Sequence, residues 1–364
     1  MTSIVLAGGG TAGHTSPLIA TAHALQREPG VTLTCIGTAR GLEVRVIPAA
    51  GLRLELIDPV PLPRKPNLDL VKLPVRLFRS VRQARQILRR AGADVLVGYG
   101  GYVSIPAYLA ARWLGVPIVV HEANALPGIS NKIGSKFAAY VATTFPGTPL
   151  PRAQRIGMPV SRSISHPSVT RAAAREFFGL DPDRPTLLVS GGSQGAVRLN
   201  DAILGARDEL LAAGVQVLHV LGPKNFTEGH VEVGSASGAR YVPVEFVEDM
   251  AYAYAAADFM VGRAGAGTVV ETSMSGLPCL FVPLPYGNGE QGRNAAALVE
   301  AGAGVLVDNA DLTPERLLGE VLPRITDPET LQRMRQLARD HTPSDAAERL
   351  ASAVLTVAQQ PKKE

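Results

Sequence analysis

The chain has 364 residues, of which 46% are hydrophobic and 19% charged, with a formal net charge of +4. This length suits two domains of ordinary size, and the apolar content is sufficient for a core in each, which argues against a disordered chain. The apolar runs are far shorter than the roughly twenty residues that span a bilayer, and no basic leader precedes an apolar stretch, so neither a transmembrane helix nor a signal peptide is expected.

The two cysteines, Cys35 and Cys279, both fall in predicted strands and are expected to be small buried hydrophobes in a reducing cytoplasm. Cysteine and histidine do not cluster at the spacing of metal ligands. We therefore expect no metal. No other cofactor is predicted either.

Strands alternate with helical patterns along almost the whole chain. Six strands are predicted in the first half, at residues 4–7, 31–36, 52–57, 94–97, 118–121 and 140–143. Six more follow at residues 186–190, 215–221, 240–244, 259–261, 279–282 and 304–307. Because helical patterns separate nearly every pair of strands, both sheets are predicted to be parallel and doubly wound, which is the α/β class.

The periodicity breaks near residues 157–161 and does not return until after Val169. We predict two Rossmann-like domains, residues 1–161 and 162–343, facing one another across a cleft. A helix at about residues 344–359 is expected to pack back on the first domain.

Three glycine-rich turns each follow an apolar run: the first glycine turn (residues 8–14), the second (98–104) and the third (191–196). Strand, glycine turn and helix is a common arrangement for binding phosphate, because glycine permits close approach of the backbone and the helix offers unpaired N–H groups. The repetition suggests a ligand with several phosphates, or two phosphorylated ligands.

The first glycine turn also fits the G-x-G-x-x-G pattern of dinucleotide-binding proteins. Such a site needs an acidic residue at the end of the second strand for the ribose. Here that strand is followed by Gly37-Thr38-Ala39-Arg40, and the first acid, Glu43, lies inside the next predicted helix. A nicotinamide cofactor is therefore disfavoured.

In the second half, residues 262–265 form another glycine-containing turn after a strand and lead into a helix that carries Glu271 one turn inside. A carboxylate at this place can accept both hydroxyls of a ribose while the turn meets phosphate. The alternative is a solvated helix residue that benefits only from the helix dipole.

Six motifs run in order along nearly the whole chain, at residues 9–14, 100–104, 121–124, 191–196, 246–250 and 265–271. With them the chain resembles the MurG family of bacterial UDP-N-acetylglucosamine transferases. The resemblance implies the two-domain GT-B fold and an inverting transfer from UDP-N-acetylglucosamine (UDP-GlcNAc). The implied acceptor is the C4 hydroxyl of N-acetylmuramic acid (MurNAc) in lipid I, an undecaprenyl-diphosphate-linked MurNAc-peptide, which becomes lipid II of peptidoglycan synthesis.

The resemblance also implies contacts with the donor. Residues implied to hold its diphosphate are Gly192, Ser193, Gln194 and Gly195; those that line uracil and the nucleotide are Val247, Ala266, Gly267 and Thr268. Glu271 would bind the ribose, Gln291 and Asn124 the sugar, and Thr11, Ala12 and Gly13 would close over the donor. Arg162 is one residue out of register with the arginine that follows Pro-Val in the family, and Ala12, Ala123 and Met158 also depart from its pattern.

Transfer to a hydroxyl needs a base and a stabilised leaving group. Glycine-turn amides can stabilise a leaving diphosphate without a metal. His14, with a near-neutral pKa and a place in the first glycine turn, is our candidate base. Its alternative is a histidine that caps the helix or bonds a phosphate. Glu122 is the rival base, and it too has an alternative role in supporting its loop.

Residues 64–90 contain nine basic residues against Asp69 alone, a net charge of +8. At helical spacing Phe78 projects among Arg82, Arg85 and Arg89, and Arg79 lies nearby. Basic residues around an exposed apolar side chain suit reversible docking on an anionic lipid surface, which predicts a peripheral protein. The resemblance implies that this surface is the cytoplasmic face of the cell membrane. The alternative is a solvated arginine-rich helix. Nucleic acid is disfavoured because Phe78 is the one aromatic residue in the segment and aromatic residues make up only 5% of the chain, too few for a surface on which bases stack.

The second glycine turn, through Gly100, Gly101, Tyr102 and Ser104, is the predicted site of the acceptor diphosphate. Its alternative is a tight strand-to-helix connection, but two adjacent glycines exceed what one turn is expected to need. Two other functions compete with transfer: a UDP-GlcNAc epimerase of the same architecture, and a nucleotide-sugar binding module without turnover.

Overall fold

The computed structural model describes residues 1–60, 68–192, 195–286 and 288–360, with only the backbone given for residues 68–72. The chain forms two compact units. One consists of Met1–Ser161 with Asp345–Glu364, and the other of Arg162–Ser344. We call them the N-terminal unit and the C-terminal unit.

The N-terminal unit begins with β1 (Thr2–Gly8), α1 (Ala12–Leu25), β2 (Val31–Thr38), α2 (Glu43–Ala49), β3 (Leu54–Ile57) and α3 (Leu68–Ala91). It continues with β4 (Val95–Gly100), α4 (Ser104–Trp113), β5 (Ile118–Glu122), α5 (Ile129–Gly134), β6 (Tyr140–Thr143) and β7 (Ala153–Arg155).

The C-terminal unit begins with α6 (Arg162–Ser165), α7 (Arg171–Phe177), β8 (Thr186–Ser190), α8 (Val197–Ala212), β9 (Gln216–Val220), β10 (Val233–Gly234), β11 (Arg240–Val244) and α9 (Met250–Ala256). It continues with β12 (Phe259–Gly262), α10 (Ala266–Met274), β13 (Cys279–Phe281), α11 (Glu290–Glu300), β14 (Gly304–Leu306), α12 (Pro314–Ile325) and α13 (Pro328–His341). The last helix, α14 (Ala346–Ala358), belongs to the N-terminal unit and packs against α1.

Each unit contains one seven-stranded sheet. The strand order is β3-β2-β1-β4-β5-β6-β7 in the N-terminal unit and β10-β11-β9-β8-β12-β13-β14 in the C-terminal unit. In each sheet the strand order reverses direction at one point. This point lies between β1 and β4 in the N-terminal sheet and between β8 and β12 in the C-terminal sheet. Ligands of doubly wound sheets bind outside the carboxyl ends of the strands at this reversal.

The central strands β1, β4 and β5 of the N-terminal sheet are mostly apolar and buried because helices cover both faces. In β1, Ile4 and Leu6 join the core that includes α1 and α14, while Val5 and Ala7 face the core that includes α3 and α4. β1 is therefore packed on both faces, and the glycine turn that follows it starts from buried backbone.

The structure confirms the α/β class and all twelve predicted strands, with two corrections. β7 and β10 were not predicted. Every residue of β7 is exposed at a sheet edge, and β10 has two residues, so neither leaves an apolar pattern in the sequence. β10 also pairs antiparallel with β11. The prediction that the second sheet is wholly parallel is therefore wrong for this edge strand.

Among the described residues, no helix combines the length and apolar character needed to cross a membrane. Within the same ranges, no three His, Cys, Asp or Glu side chains come together in a way that could hold a metal ion.

Candidate functional site

Glycine-containing turns follow the two strands that flank the reversal in each sheet. The first glycine turn begins at the last residue of β1, and the second begins within the last three residues of β4, so that this strand extends further than predicted; β1 and β4 are neighbours in the N-terminal sheet. In the C-terminal sheet the third glycine turn follows β8, and residues 263–265 connect its neighbour β12 to α10. The described residues of these glycine-containing turns thus lie at the carboxyl ends of the strands of their own sheet.

His14 lies in the first turn of α1, and its ring contacts backbone from the first and second glycine turns. Its Nδ1 is 3.0 Å from the carbonyl oxygen of Gly9. A carbonyl can only accept, so Nδ1 carries the hydrogen and Nε2 is left with a free lone pair in the neutral ring. Thr11 Oγ1 also lies 3.2 Å from Nδ1. The free Nε2 is the atom that a general base requires.

Burial lowers the pKa of His14 below its ordinary value of 6.5, although the carboxylates of Glu122 and Glu43 and the bond to Gly9 oppose this effect. The imidazole is therefore mostly neutral at pH 7. A neutral imidazole can take a proton from a hydroxyl, whereas an imidazolium cannot.

The second glycine turn requires both of its adjacent glycines for structural reasons. Gly100 has φ +103° and Gly101 has φ +80°, backbone angles that residues with a side chain rarely adopt. A Cβ on Gly100 would lie 2.9 Å from His14 Nε2, and one on Gly101 would lie 2.5 Å from the Gly9 carbonyl oxygen. The expectation that two glycines exceed what the turn needs is therefore wrong, and they no longer argue for a phosphate by themselves.

Ser104 is buried and uses its hydroxyl within the second glycine turn. It donates to the Gly100 carbonyl at 2.7 Å and accepts from the Gly100 N–H at 3.1 Å. In the structure this hydroxyl fixes the shape of the turn, and its contact with the acceptor diphosphate stays a prediction. Tyr102 is exposed beside it and keeps an accessible side chain.

Glu122 ends β5 in a buried position and organises the loop that follows. Its Oε1 accepts from the Asn124 N–H at 2.9 Å, and its Oε2 accepts from the Gly128 N–H and the Asn131 side-chain amide, both at 3.0 Å. Asn131 in turn accepts from the Tyr108 hydroxyl at 2.7 Å. With its oxygens engaged in this way, Glu122 supports the loop, and His14 is the better candidate base.

The described end of the third glycine turn packs closely against Asn225 and the backbone of Leu221. A Cβ on Gly195 would lie 2.0 Å from the Asn225 side chain and 2.3 Å from the Leu221 carbonyl, and Gly192 has φ +82°. Ser193 and Gln194, predicted to hold the donor diphosphate, lie outside the described residues.

Glu271 lies half-buried in α10 and is bonded to Tyr254 of α9. The Tyr254 hydroxyl donates to Glu271 Oε2 at 2.8 Å. Burial raises the pKa of Glu271 to about 7, and the bond from Tyr254 opposes the rise. Ala266, Gly267 and Thr268 form the first turn of α10, where backbone N–H groups have no acceptor within the helix. Sequence reasoning missed Tyr254, whose place in α9 carries no signal of this contact.

The other predicted donor residues are distributed over both units. In the C-terminal unit, Val247 is buried just before α9, and Gln291 Oε1 accepts from the Leu284 N–H at 3.0 Å. Arg162 begins α6, which packs against α9 and α10. In the N-terminal unit, Asn124 is held by Glu122, and Thr11, Ala12 and Gly13 enter α1.

The exposed face of α3 combines apolar and basic side chains. Phe78 and Val75 are exposed, and Trp113 at the end of α4 is also exposed, with the Arg85 guanidinium 4.2 Å above its ring. Arg79 pairs with Asp58 at 2.7 Å. Of the predicted docking arginines, Arg79 and Arg85 thus have partners within the protein, while Arg82 lies exposed. Sequence reasoning missed Trp113. We call Val75, Phe78, Arg82, Arg85 and Trp113 the basic apolar surface.

Comparison with known protein families gives matches over most of the chain. Residues 4–143 match the glycosyltransferase family 28 N-terminal domain, and residues 186–350 match the glycosyltransferase family 28 C-terminal domain.

Relatives of high identity carry one name, UDP-N-acetylglucosamine--N-acetylmuramyl-(pentapeptide) pyrophosphoryl-undecaprenol N-acetylglucosamine transferase. The protein of that name from Cutibacterium acnes is 57% identical, with 98% of each chain covered. The one from a Nocardioides species is 54% identical, with 97% of each chain covered.

Solved structures show the same fold. The crystal structure of Acinetobacter baumannii MurG aligns with a TM-score of 0.75 at 27% identity, covering 98% of this chain and all of that one. A glycosyltransferase of kitacinnamycin aligns with a TM-score of 0.70 at 17% identity, a likeness that bears on the fold alone.

Proposed function

The chain belongs to glycosyltransferase family 28, and from this premise we propose that it transfers N-acetylglucosamine from UDP-GlcNAc to the C4 hydroxyl of lipid-linked MurNAc. The product is the disaccharide-linked lipid used in peptidoglycan synthesis. The observation that carries the proposal is identity above 50% to named transferases over nearly the full chain.

The donor binds the C-terminal unit in this proposal. The unpaired N–H groups at the start of α10 and the close backbone of the third glycine turn suit a diphosphate. Glu271 accepts the ribose hydroxyls, and Val247, just before α9, contacts uracil. Gln291 keeps its side-chain NH₂ for the sugar because its oxygen is engaged by Leu284.

The transfer step follows from these groups. His14 Nε2 takes the proton of the acceptor hydroxyl as its oxygen bonds to the anomeric carbon. The bond between that carbon and the diphosphate breaks, and UDP leaves with the electron pair. Preorganised amides stabilise the charge that develops on the diphosphate.

A radiolabelled transfer assay tests the proposal. Wild-type protein with labelled UDP-GlcNAc and a lipid-diphosphate-MurNAc-peptide should give a lipid-soluble labelled product. An epimerase would instead give a second UDP-sugar, and a binding module would give neither product.

We also propose that the basic apolar surface docks the protein on the cytoplasmic face of the membrane, beside its acceptor. Apolar side chains with arginines around them suit the headgroup region of anionic lipid. Each basic residue near the surface contributes about 1 kcal/mol of electrostatic attraction to the membrane.

Vesicle binding tests this docking. Two exposed arginines are reversed: Arg82 of this surface, with Arg82→Glu, and Arg89, two turns further along α3, with Arg89→Glu. The double variant should sediment with phosphatidylglycerol vesicles at low salt more than about tenfold less strongly. Phe78→Ser should also weaken vesicle binding. Phe177→Ser, an exposed aromatic residue of the C-terminal unit, is the matched control. Binding that stays at the wild-type level in the charge-reversed protein would refute the assignment.

Tyr254→Phe should weaken UDP-GlcNAc binding at pH 7 by about threefold to tenfold. The carboxylate of Glu271 loses a hydrogen bond that stabilises its charged form, so its pKa rises further and less of it is ionised. Calorimetry measures the affinity. Tyr252→Phe, an exposed tyrosine on the same helix, should bind as the wild type does. Equal affinities for the two variants would contradict the prediction.

A further inference from the structure

Glu43 is fully buried at the start of α2, and the transfer step gives it no role. Its Oε1 accepts from the Thr38 N–H at 2.9 Å and from the Thr38 hydroxyl at 2.8 Å, and its Oε2 accepts from the Gly10 N–H at 2.8 Å. All three partners donate, so both oxygens act as acceptors. A buried carboxyl group bonded in this way is held in one orientation.

Three glycines surround the Glu43 side chain. A Cβ would lie 2.4 Å from its Oε1 at Gly9, 2.6 Å from its Cγ at Gly37 and 1.9 Å from its Oε2 at Gly41. These glycines come from the first glycine turn, from β2 and from the residues before α2. The first glycine turn is therefore shaped around a carboxylate of the protein itself. This carboxylate accepts the hydrogen bond of the Gly10 N–H, which is then not available to a ligand phosphate.

The peptide group between Gly9 and Gly10 connects Glu43 to His14. Its N–H donates to Glu43 Oε2, and its carbonyl accepts from His14 Nδ1. In a trans peptide the N–H and C=O point in opposite directions. By fixing the N–H on one side, Glu43 therefore aims the carbonyl at His14 on the other, and that carbonyl selects the tautomer with a free Nε2.

We propose that Glu43 is a positioning residue for His14, which it orients through the Gly9–Gly10 peptide and whose imidazolium form its carboxylate helps to stabilise. Glu43 touches no substrate in this role. The inference rests on the proposed transferase function for its effect on catalysis, while its effect on the imidazole can be measured without turnover.

The charged groups that act on His14 are Glu122 from β5 and, with a smaller effect, Glu43 from α2, while the end of β4 and the residue after it present the uncharged Gly100 and Gly101 in the described part of the site. Both carboxylates favour the imidazolium and so raise the pKa of His14 against the effect of burial. Removing the charge of Glu43 should therefore move the titration of His14 to lower pH and make the imidazole a weaker base.

The test compares Glu43→Gln with Glu28→Gln, an exposed control in the same unit. In the full chain, the His14 imidazole titration followed by NMR should shift to lower pH in Glu43→Gln only. Its kcat should fall about tenfold or more, its UDP-GlcNAc affinity should stay within about twofold, and the acid limb of the kcat profile should move with the imidazole. A purely structural role would not move that limb.

An unshifted His14 titration or an unchanged kcat in Glu43→Gln would overturn the proposal. Should this variant fail to fold, Thr38→Val tests the proposal instead. It removes the hydrogen bond from the Thr38 hydroxyl to Glu43 and leaves the charge of the Glu43 carboxylate in place. A slower kcat at wild-type UDP-GlcNAc affinity then supports the proposal, and a wild-type kcat refutes it. Absence of transfer in the wild-type protein would be a failure of the proposed function, and the NMR titration would still measure the effect of Glu43.

Discussion

Replacing His14 with alanine is expected to lower kcat by about 10² to 10⁴, the usual contribution of a general base, with little change in UDP-GlcNAc affinity. The loss arises because no neutral imidazole remains to take the proton of the acceptor hydroxyl. Affinity should persist because the proposed uridine, ribose and diphosphate contacts lie in the C-terminal unit. Steady-state transfer and calorimetry measure the two effects separately.

His23→Ala is the matched control for this prediction. His23 lies on the same helix, and its Nε2 is 3.3 Å from the Ala50 carbonyl, but its side chain is exposed. In the wild type, kcat should be level near pH 7 and fall on the acid side, because the base must be neutral and its pKa lies below 6.5. Near-normal turnover by His14→Ala would remove this residue from the catalytic role.

Glu271→Gln is expected to weaken UDP-GlcNAc binding by about 10-fold to 100-fold, because ribose hydroxyls lose a charged acceptor and hydrogen bonds to charged groups contribute about 1.5–3 kcal/mol. The change keeps the shape of the side chain and removes its charge. The exposed Glu300→Gln, on α11 of the same unit, should bind normally. An affinity equal to that of the wild type would exclude Glu271 as the ribose acceptor.

The raised pKa of Glu271 predicts a pH dependence of donor binding in the wild type. Ribose hydroxyls bind the ionised carboxylate, so affinity should fall as pH decreases through about 7. From one ionisation at that pH we expect binding about fivefold weaker at pH 6 than at pH 7. UDP-GlcNAc is the suitable ligand because its esterified diphosphate does not titrate there. The dependence should disappear in Glu271→Gln, and its persistence would assign it to another group.

The glycine turns illustrate how far the sequence can be interpreted. Apolar runs followed by glycines correctly predicted turns at the ends of strands. The periodicity of apolar residues and the preference of glycine for turns are properties of neighbouring residues in the chain. The reason for each glycine is not local. Gly100 and Gly101 are needed to accommodate the His14 ring and the Gly9 carbonyl, which lie 86 and 92 residues earlier in the chain, respectively.

Glu43 shows the same limit for a charged residue. In the sequence it argued only against a dinucleotide site, because it falls inside a helix beyond the second strand. In the fold, parallel pairing of β1 with β2 places the start of α2 beside the first glycine turn, where the carboxylate meets Gly10. Likewise Trp113 and Arg85 meet only because α3 and α4 pack together.

The sequence by itself determined the α/β class, the twelve main strands, the order of the motifs and the resemblance to a transferase family. These follow from periodicity, composition and short spacings, which act between neighbours in the chain. Tertiary structure alone decided the tautomer of His14, the engagement of Ser104 and Glu122 within their own turns, and the contact of Tyr254 with Glu271. Hydrogen bonds and burial between distant segments exist only once packing has brought those segments together, and they set the charge and orientation of each side chain.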